Sequence, residues 1–165
     1  SGDAVEVVRV LAQKVNIQGA LDIGIVPYHR KSASLDYRIL YEEVMTLYCG
    51  AGHPLFDAPG DDIDFSGYKY AGFGFNSPNM AAGERLGLRR AASVQDEEGL
   101  SLLIQSGRYL GFLADHVAET FLREGGVRAL APGRTRYAST NESNRIVCEQ
   151  HHGNLNRSFL ERFYR

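Results

Sequence analysis

The sequence predicts an α/β fold, on three observations. One is the apolar, β-branched run at 19–26, with Asp22 and Gly24 inside it and Pro27 at its end. A run that short fits a strand covered on both faces, the kind found in parallel sheets. A further apolar run at 109–114 has the same character. The third observation is the alternation of such runs with helical patterns, which argues for a largely parallel sheet.

Composition bounds the problem. At 165 residues the chain suits one compact domain or two small lobes. An apolar fraction of 44% and a charged fraction of 23% are ordinary for a globular protein. The net charge of −2 gives no electrostatic reason to expect a nucleic-acid-binding surface. No run approaches the roughly 20 apolar residues of a membrane span. Ser1, Gly2 and Asp3 do not open a secretion signal. Cys49 and Cys148 both sit among apolar neighbours and read as buried free thiols, which favours a reducing compartment.

The elements follow in order. Residues 4–15 read as a helix, with Val5, Val8, Leu11, Ala12 and Val15 at helical spacing and Asp3 placed to cap it. A helix feeding straight into a central strand implies an earlier strand and helix before this stretch. After the strand at 19–26, the segment 28–34 is polar and loop-like. Two extended runs, 36–40 and 43–49, meet at a charged joint, so Tyr41 and Glu42 are a candidate crossover between lobes. Residues 50–55 form a turn-rich exit and 57–64 an acidic loop. An aromatic strand at 68–75 leads to a turn at 74–79 and a helix start. A short strand at 91–94 precedes a helix that Asp96 caps, with Leu100, Leu103 and Ile104 on one face. Ser106 and Gly107 stop that helix. The apolar run at 109–114 exits through Asp115 and His116 into a helix at 117–123. Residues 127–132 lead to the basic loop 133–136, the second candidate crossover, where Arg134 and Thr135 fall. A strand at 145–149 and an amphipathic helix at 155–164 close the chain.

Most site-like features reduce to ordinary structure. Gly50-Ala51-Gly52 and Gly72-Phe73-Gly74 complete neither a dinucleotide fingerprint nor a phosphate loop, and read as turns. His53 precedes Pro54, and His116 follows Asp115 at a strand end; a surface or capping role outweighs general-base work for both. Read as strand neighbours, Asp115 and His116 point to opposite faces. His151 and His152 are contiguous, with no Cys or carboxylate spacing, so no metal is expected. No G-x-S-x-G elbow is present. Neither catalytic residues nor a cofactor are expected. The features with more content are two loops that each follow a strand. One is Tyr28 and His29, beyond Pro27. The other is Phe75, Asn76, Ser77 and Pro78, where Ser77 can cap a helix whose free N–H groups would hold an anion. In open α/β sheets ligands gather beyond the carboxyl ends of strands. Asp22, inside the first strand, needs hydrogen-bonding partners and is assigned a structural role.

The order of motifs resembles a known family. The run 19–26, then Glu43-Val44-Met45-Thr46-Leu47-Tyr48 leading to His53-Pro54-Leu55, resembles the effector-binding domain of LysR-type transcriptional regulators. The helix at 96–104 with Ser106-Gly107-Arg108-Tyr109-Leu110-Gly111-Phe112-Leu113 is similar to that family's helix, glycine turn and strand. The resemblance extends over essentially the whole chain, and rests on order and spacing more than on any single motif. It departs where Ala114 stands in place of the family's usual proline.

The resemblance implies a periplasmic-binding-protein-like (type 2) fold, two Rossmann-like α/β lobes joined by two crossover strands. Residues 1–41 with 137–165 would form lobe I and 42–136 lobe II, with the N-terminal strand and helix of lobe I missing. A small effector, a carboxylate or an aromatic metabolite, would bind between the lobes. The implied cleft residues are Pro27, Tyr28, His29, Phe75, Asn76, Ser77, Pro78, Asp96, Leu113 and Ala114. The implied hinge is Tyr41 and Glu42 with Arg134 and Thr135. The implied protein is a cytoplasmic, non-enzymatic regulator acting as a homodimer or tetramer. It would touch DNA only through a winged helix-turn-helix domain absent from this chain, and would not meet a membrane. The alternatives are an extracytoplasmic solute-binding protein of the same fold, or an α/β enzyme with His53 or His116 as base.

Overall fold

The structure is a computed structural model and describes residues 23–27, 33–58, 60–74, 78–138 and 145–151. The elements in order are β1 (Ile23–Pro27), β2 (Leu35–Glu42), β3 (Val44–Gly50), β4 (Lys69–Phe73), α1 (Pro78–Arg85), β5 (Arg89–Val94), α2 (Glu97–Gln105), β6 (Gly111–Ala114), α3 (Asp115–Arg123), β7 (Val127–Ala129), α4 (Pro132–Thr135), β8 (Tyr137–Ala138) and β9 (Arg145–His151). The helices expected at 4–15 and 155–164, and Asp22, lie outside the described residues.

The strands form two bodies. In the first, β9 lies between β1 and β2 and runs antiparallel to both. In the second, β3 pairs antiparallel with β6, β7 and β8. The strands β4 and β5 pair in parallel, and a parallel bridge from Tyr70 to Leu110 joins them to β6. The largely parallel sheet expected from the alternation is therefore corrected to a mixed one. Parallel neighbours need a long crossover, and only α1 and α2 supply one. Elsewhere strand follows strand across one residue, as at Glu43, through a loop, or, for β6 to β7 and β7 to β8, through α3 and α4 between antiparallel partners of β3.

Covered on both faces are β3, with six consecutive buried residues from Met45 to Gly50, and β6, buried throughout as its apolar run predicts. Among the described strands β1 stands at the end of its sheet. Along β3 the faces alternate. Met45, Leu47 and Cys49 pack with Phe112, Leu110, Phe65, Ile63 and Leu88 on one side. Tyr48 packs on the other with Leu113, Leu100, Ile104 and Val127. Helix α2 lies close against β3 and β6 because glycines stand there. A Cβ on Gly50 would come within 2.2 Å of the Ile104 carbonyl oxygen, and one on Gly111 within 2.5 Å of Ile104 Cδ1.

Several local expectations hold. Asp96 adopts extended backbone and its Oδ1 accepts from Gly99 N–H at 2.7 Å, capping α2. Gly107, at φ +69°, turns the chain out of it. Cys49 is buried and unbridged. Two expectations are corrected. Asp115 and His116 are the first turn of α3, not a strand exit. The segment expected as a basic crossover loop is the short helix α4, started by Pro132. Its Thr135 is buried and donates to Leu130 O at 2.7 Å, while Arg134 donates to Ile63 O at 3.0 Å. Helix α4 is thus tied into the second body, and the extended return begins at Tyr137.

Candidate functional site

Polar groups converge where β3 begins, β6 ends and β8 departs. Asp115 is their hub. Its position in the first turn of α3 sets a carboxylate against the positive end of the helix. Its Oδ1 accepts from Thr46 Oγ1 at 2.7 Å and from Tyr48 Oη at 3.1 Å, and its Oδ2 meets Arg136 Nη2 at 2.8 Å. Thr46 and Tyr48 reach it together because residues two apart on a strand share a face. Burial, then the Asp115 charge, pushes the Tyr48 hydroxyl up to about 12, so it remains a donor at neutral pH.

A second group stands beside the hub. The ring of His116 meets Tyr41 edge-on, with centroids 5.9 Å apart, and His116 Nε2 lies 3.9 Å from Glu43 Oε1. Glu97, in the first turn of α2, has its pKa raised by burial, which the charge of His116 partly offsets. Two cavities open here. One, of about 420 Å³, is lined by Thr46, Tyr48 and Ala129 among others. The other, of about 400 Å³, is lined by Tyr41, Glu42 and Val44. Asp115, His116 and Arg136 line both. The arrangement offers charges of both signs beside an aromatic ring, enough to hold a small polar molecule. Among the described residues, no cluster of three or more His, Cys, Asp or Glu could hold a metal ion.

The residues anticipated from sequence divide into three groups. Tyr28, His29, Phe75, Asn76 and Ser77 lie outside the described residues. Pro27 ends β1, paired with Ile146, and Pro78 begins α1. Tyr41 and Glu42 end β2, and Tyr41 and Glu42 both line the second cavity. Arg134 and Thr135 lie in α4. Leu113 and Ala114 are fully buried at the end of β6. The next two residues, Asp115 and His116, line both cavities. Asp96 is exposed, and its Oδ1 accepts the α2 cap bond from Gly99 N–H. Sequence reasoning missed Thr46, Tyr48, Glu43, Glu97 and Arg136. The available signal was an acidic residue directly after a buried strand, which marks a helix start.

The same edge carries supports that hold its neighbours in place. Tyr137 Oη donates to Asn79 Oδ1, linking β8 to α1. Arg90 donates to Phe73 O and, at 2.9 Å, to Ser93 Oγ, holding the end of β4.

Comparison with known proteins agrees with this architecture. Residues 11–141 match the LysR substrate binding domain model. A curated relative, the HTH-type transcriptional activator BauR of Pseudomonas aeruginosa, is 34% identical over 125 residues, 74% of this chain and 41% of BauR. The chain thus spans less than half the length of that relative. Among solved structures, the CrgA regulatory domain of Neisseria meningitidis superposes with a TM-score of 0.68 at 17% identity, over 90% of this chain and 76% of that one. The CcmR regulatory domain of Synechocystis PCC6803, solved in complex with 2-PG, gives 0.66 at 14% identity, over 93% and 76%. The fold is the periplasmic-binding-protein-like (type 2) fold of such regulatory domains. The chain belongs to the LysR substrate-binding domain family.

Proposed function

We propose that this domain senses a small-molecule effector at the edge built around Asp115, His116 and Arg136, and passes the signal to a DNA-binding domain elsewhere in the full protein. The observation that carries the reading is that both cavities share these three residues at the crossings between the two sheets. Chain β2 pairs in the first sheet up to Glu42, and β3 pairs in the second from Val44. Residues 1–41 with 137–165 are read as lobe I and 42–136 as lobe II, with Tyr41 and Glu42 at one hinge. A ligand touching both lobes has differential affinity for their closed arrangement and shifts the population towards it.

Arg136 suits a carboxylate on the effector and Tyr41 permits a ring. In this reading residues 27–29 and 75–78 also contribute to the site. The protein acts without catalysis, in the cytoplasm, as a homodimer or tetramer. The test is a thermal-shift screen of small acidic and aromatic metabolites, using a full-length protein. A hit should raise the melting temperature, and Arg136→Gln should reduce the shift by about tenfold in ligand concentration. A broad panel without a hit, or a hit indifferent to Arg136→Gln, sinks the assignment of this edge.

A further inference from the structure

A third cavity, of about 440 Å³, lies at the opposite edge of the second body, away from the Asp115 hub. It sits where β3 has ended and β4 and β6 begin. Three turns frame it, contributing His53 and Pro54, then Gly67 to Lys69, then Gly107 to Tyr109. Gly107 is required in its turn, since its φ is +69° and a Cβ would lie 2.4 Å from Ala51 O. The lining contains Lys69 and Arg108 and no carboxylate, in a chain of net charge −2. Both cations are exposed, and among the described residues neither side-chain head group has a hydrogen-bonding or ionic partner in the structure.

His53 is the independent observation. It is only 6% exposed, and its Nδ1 accepts from Leu55 N–H at 3.1 Å. A neutral imidazole that accepts at Nδ1 carries its proton on Nε2. Burial lowers the pKa of the ring and keeps it in that neutral form. No acceptor for the Nε2–H stands among the described residues, whereas buried donors are ordinarily satisfied. The ring packs at 5.6 Å from Tyr68, which also lines the cavity.

We propose that this cavity binds a small oxyanion, a phosphate or carboxylate group, held by Arg108 and Lys69 and accepting a hydrogen bond from His53 Nε2–H. The guanidinium and ammonium supply charge at the mouth, and the imidazole fixes the anion's inner oxygen. This site is separate from the effector edge and does not depend on it.

Inorganic phosphate is the probe, titrated into the whole chain at fixed ionic strength and followed by the side-chain nitrogen resonances of His53. Saturable movement of the Nε2 resonance is expected, with chloride at the same ionic strength giving none. The double variant Lys69→Gln with Arg108→Gln should weaken binding about tenfold or more, since charge-assisted bonds are lost. Lys69→Arg with Arg108→Lys should restore most of it. Both positions are exposed, and an unchanged His53 spectrum without phosphate verifies the fold. Arg136→Gln should leave the phosphate response intact. An unmoved His53, an equal response to chloride, or equal affinity in the double glutamine variant overturns the proposal.

Discussion

Among single residues, Asp115 has the most dependants. Removing its carboxylate leaves the Thr46 and Tyr48 hydroxyls without their acceptor and Arg136 without its counter-charge. Asp115→Ala should cost about 1–3 kcal/mol in urea unfolding, and Tyr48→Phe about 1 kcal/mol. The two losses should not add, since they share one hydrogen bond. Cys49 is predicted to be inert in the native state, because burial pushes its thiol up to about 11. At pH 8 a thiol reagent should modify it only as fast as the protein opens, and rapidly in denaturant. Glu97 and His53 give opposite pH trends. Burial raises the Glu97 pKa, so the folded state holds that proton more tightly and stability falls as pH rises above 4.5 into the raised range. Burial lowers the His53 pKa, so its neutral form is favoured by folding and stability falls as pH drops below 6.5. Glu97→Gln should remove the first trend and leave the second, as read from unfolding midpoints across pH 4 to 8.

At the scale of elements, helix α2 shows what a sequence can and cannot declare. Its cap at Asp96, its buried face of Leu100 and Ile104, and its stop at Gly107 are local signals, and all are readable in order. Its distance from the sheet is not, because that depends on glycines some fifty residues before and six after. Gly50→Ala would drive a Cβ into the backbone of α2 and should cost more than about 2 kcal/mol, measured by chemical denaturation. The sense of the sheets was hidden for the same reason. Strand periodicity reports which faces are buried, not which neighbour pairs or in what direction. The strand at 23–27 was recognised from its β-branched run, yet its antiparallel partner lies near residue 150. The candidate site was legible only at its margins. Tyr41 and Glu42 were found through the charged joint between two strands. Asp115 reads in the sequence as a strand exit and proves to open α3, whereas Arg136 falls just past α4 in extended backbone, as the basic-loop reading has it.

In the whole molecule, β2 leaves the first sheet and β3 enters the second with only Glu43 between them. In the reading proposed above, an effector at one hundred times its dissociation constant would stabilise the closed arrangement by about 2.7 kcal/mol. That is enough to shift a two-state population about a hundredfold, and therefore to be seen as a shift in melting temperature. The first sheet has a further consequence, since its middle strand β9 comes from residues 145–151. In the described structure, β1 and β2 meet only through it. During synthesis the second body is complete once residue 138 has emerged, while the two outer strands must wait for most of the chain to be made. Ending translation before Arg145 should leave the β2 amides open to hydrogen exchange and those of β3 protected. The pairing that closes the first sheet joins Ile23 to Gln150, so it is expected to form more slowly than the more local pairings of the second body.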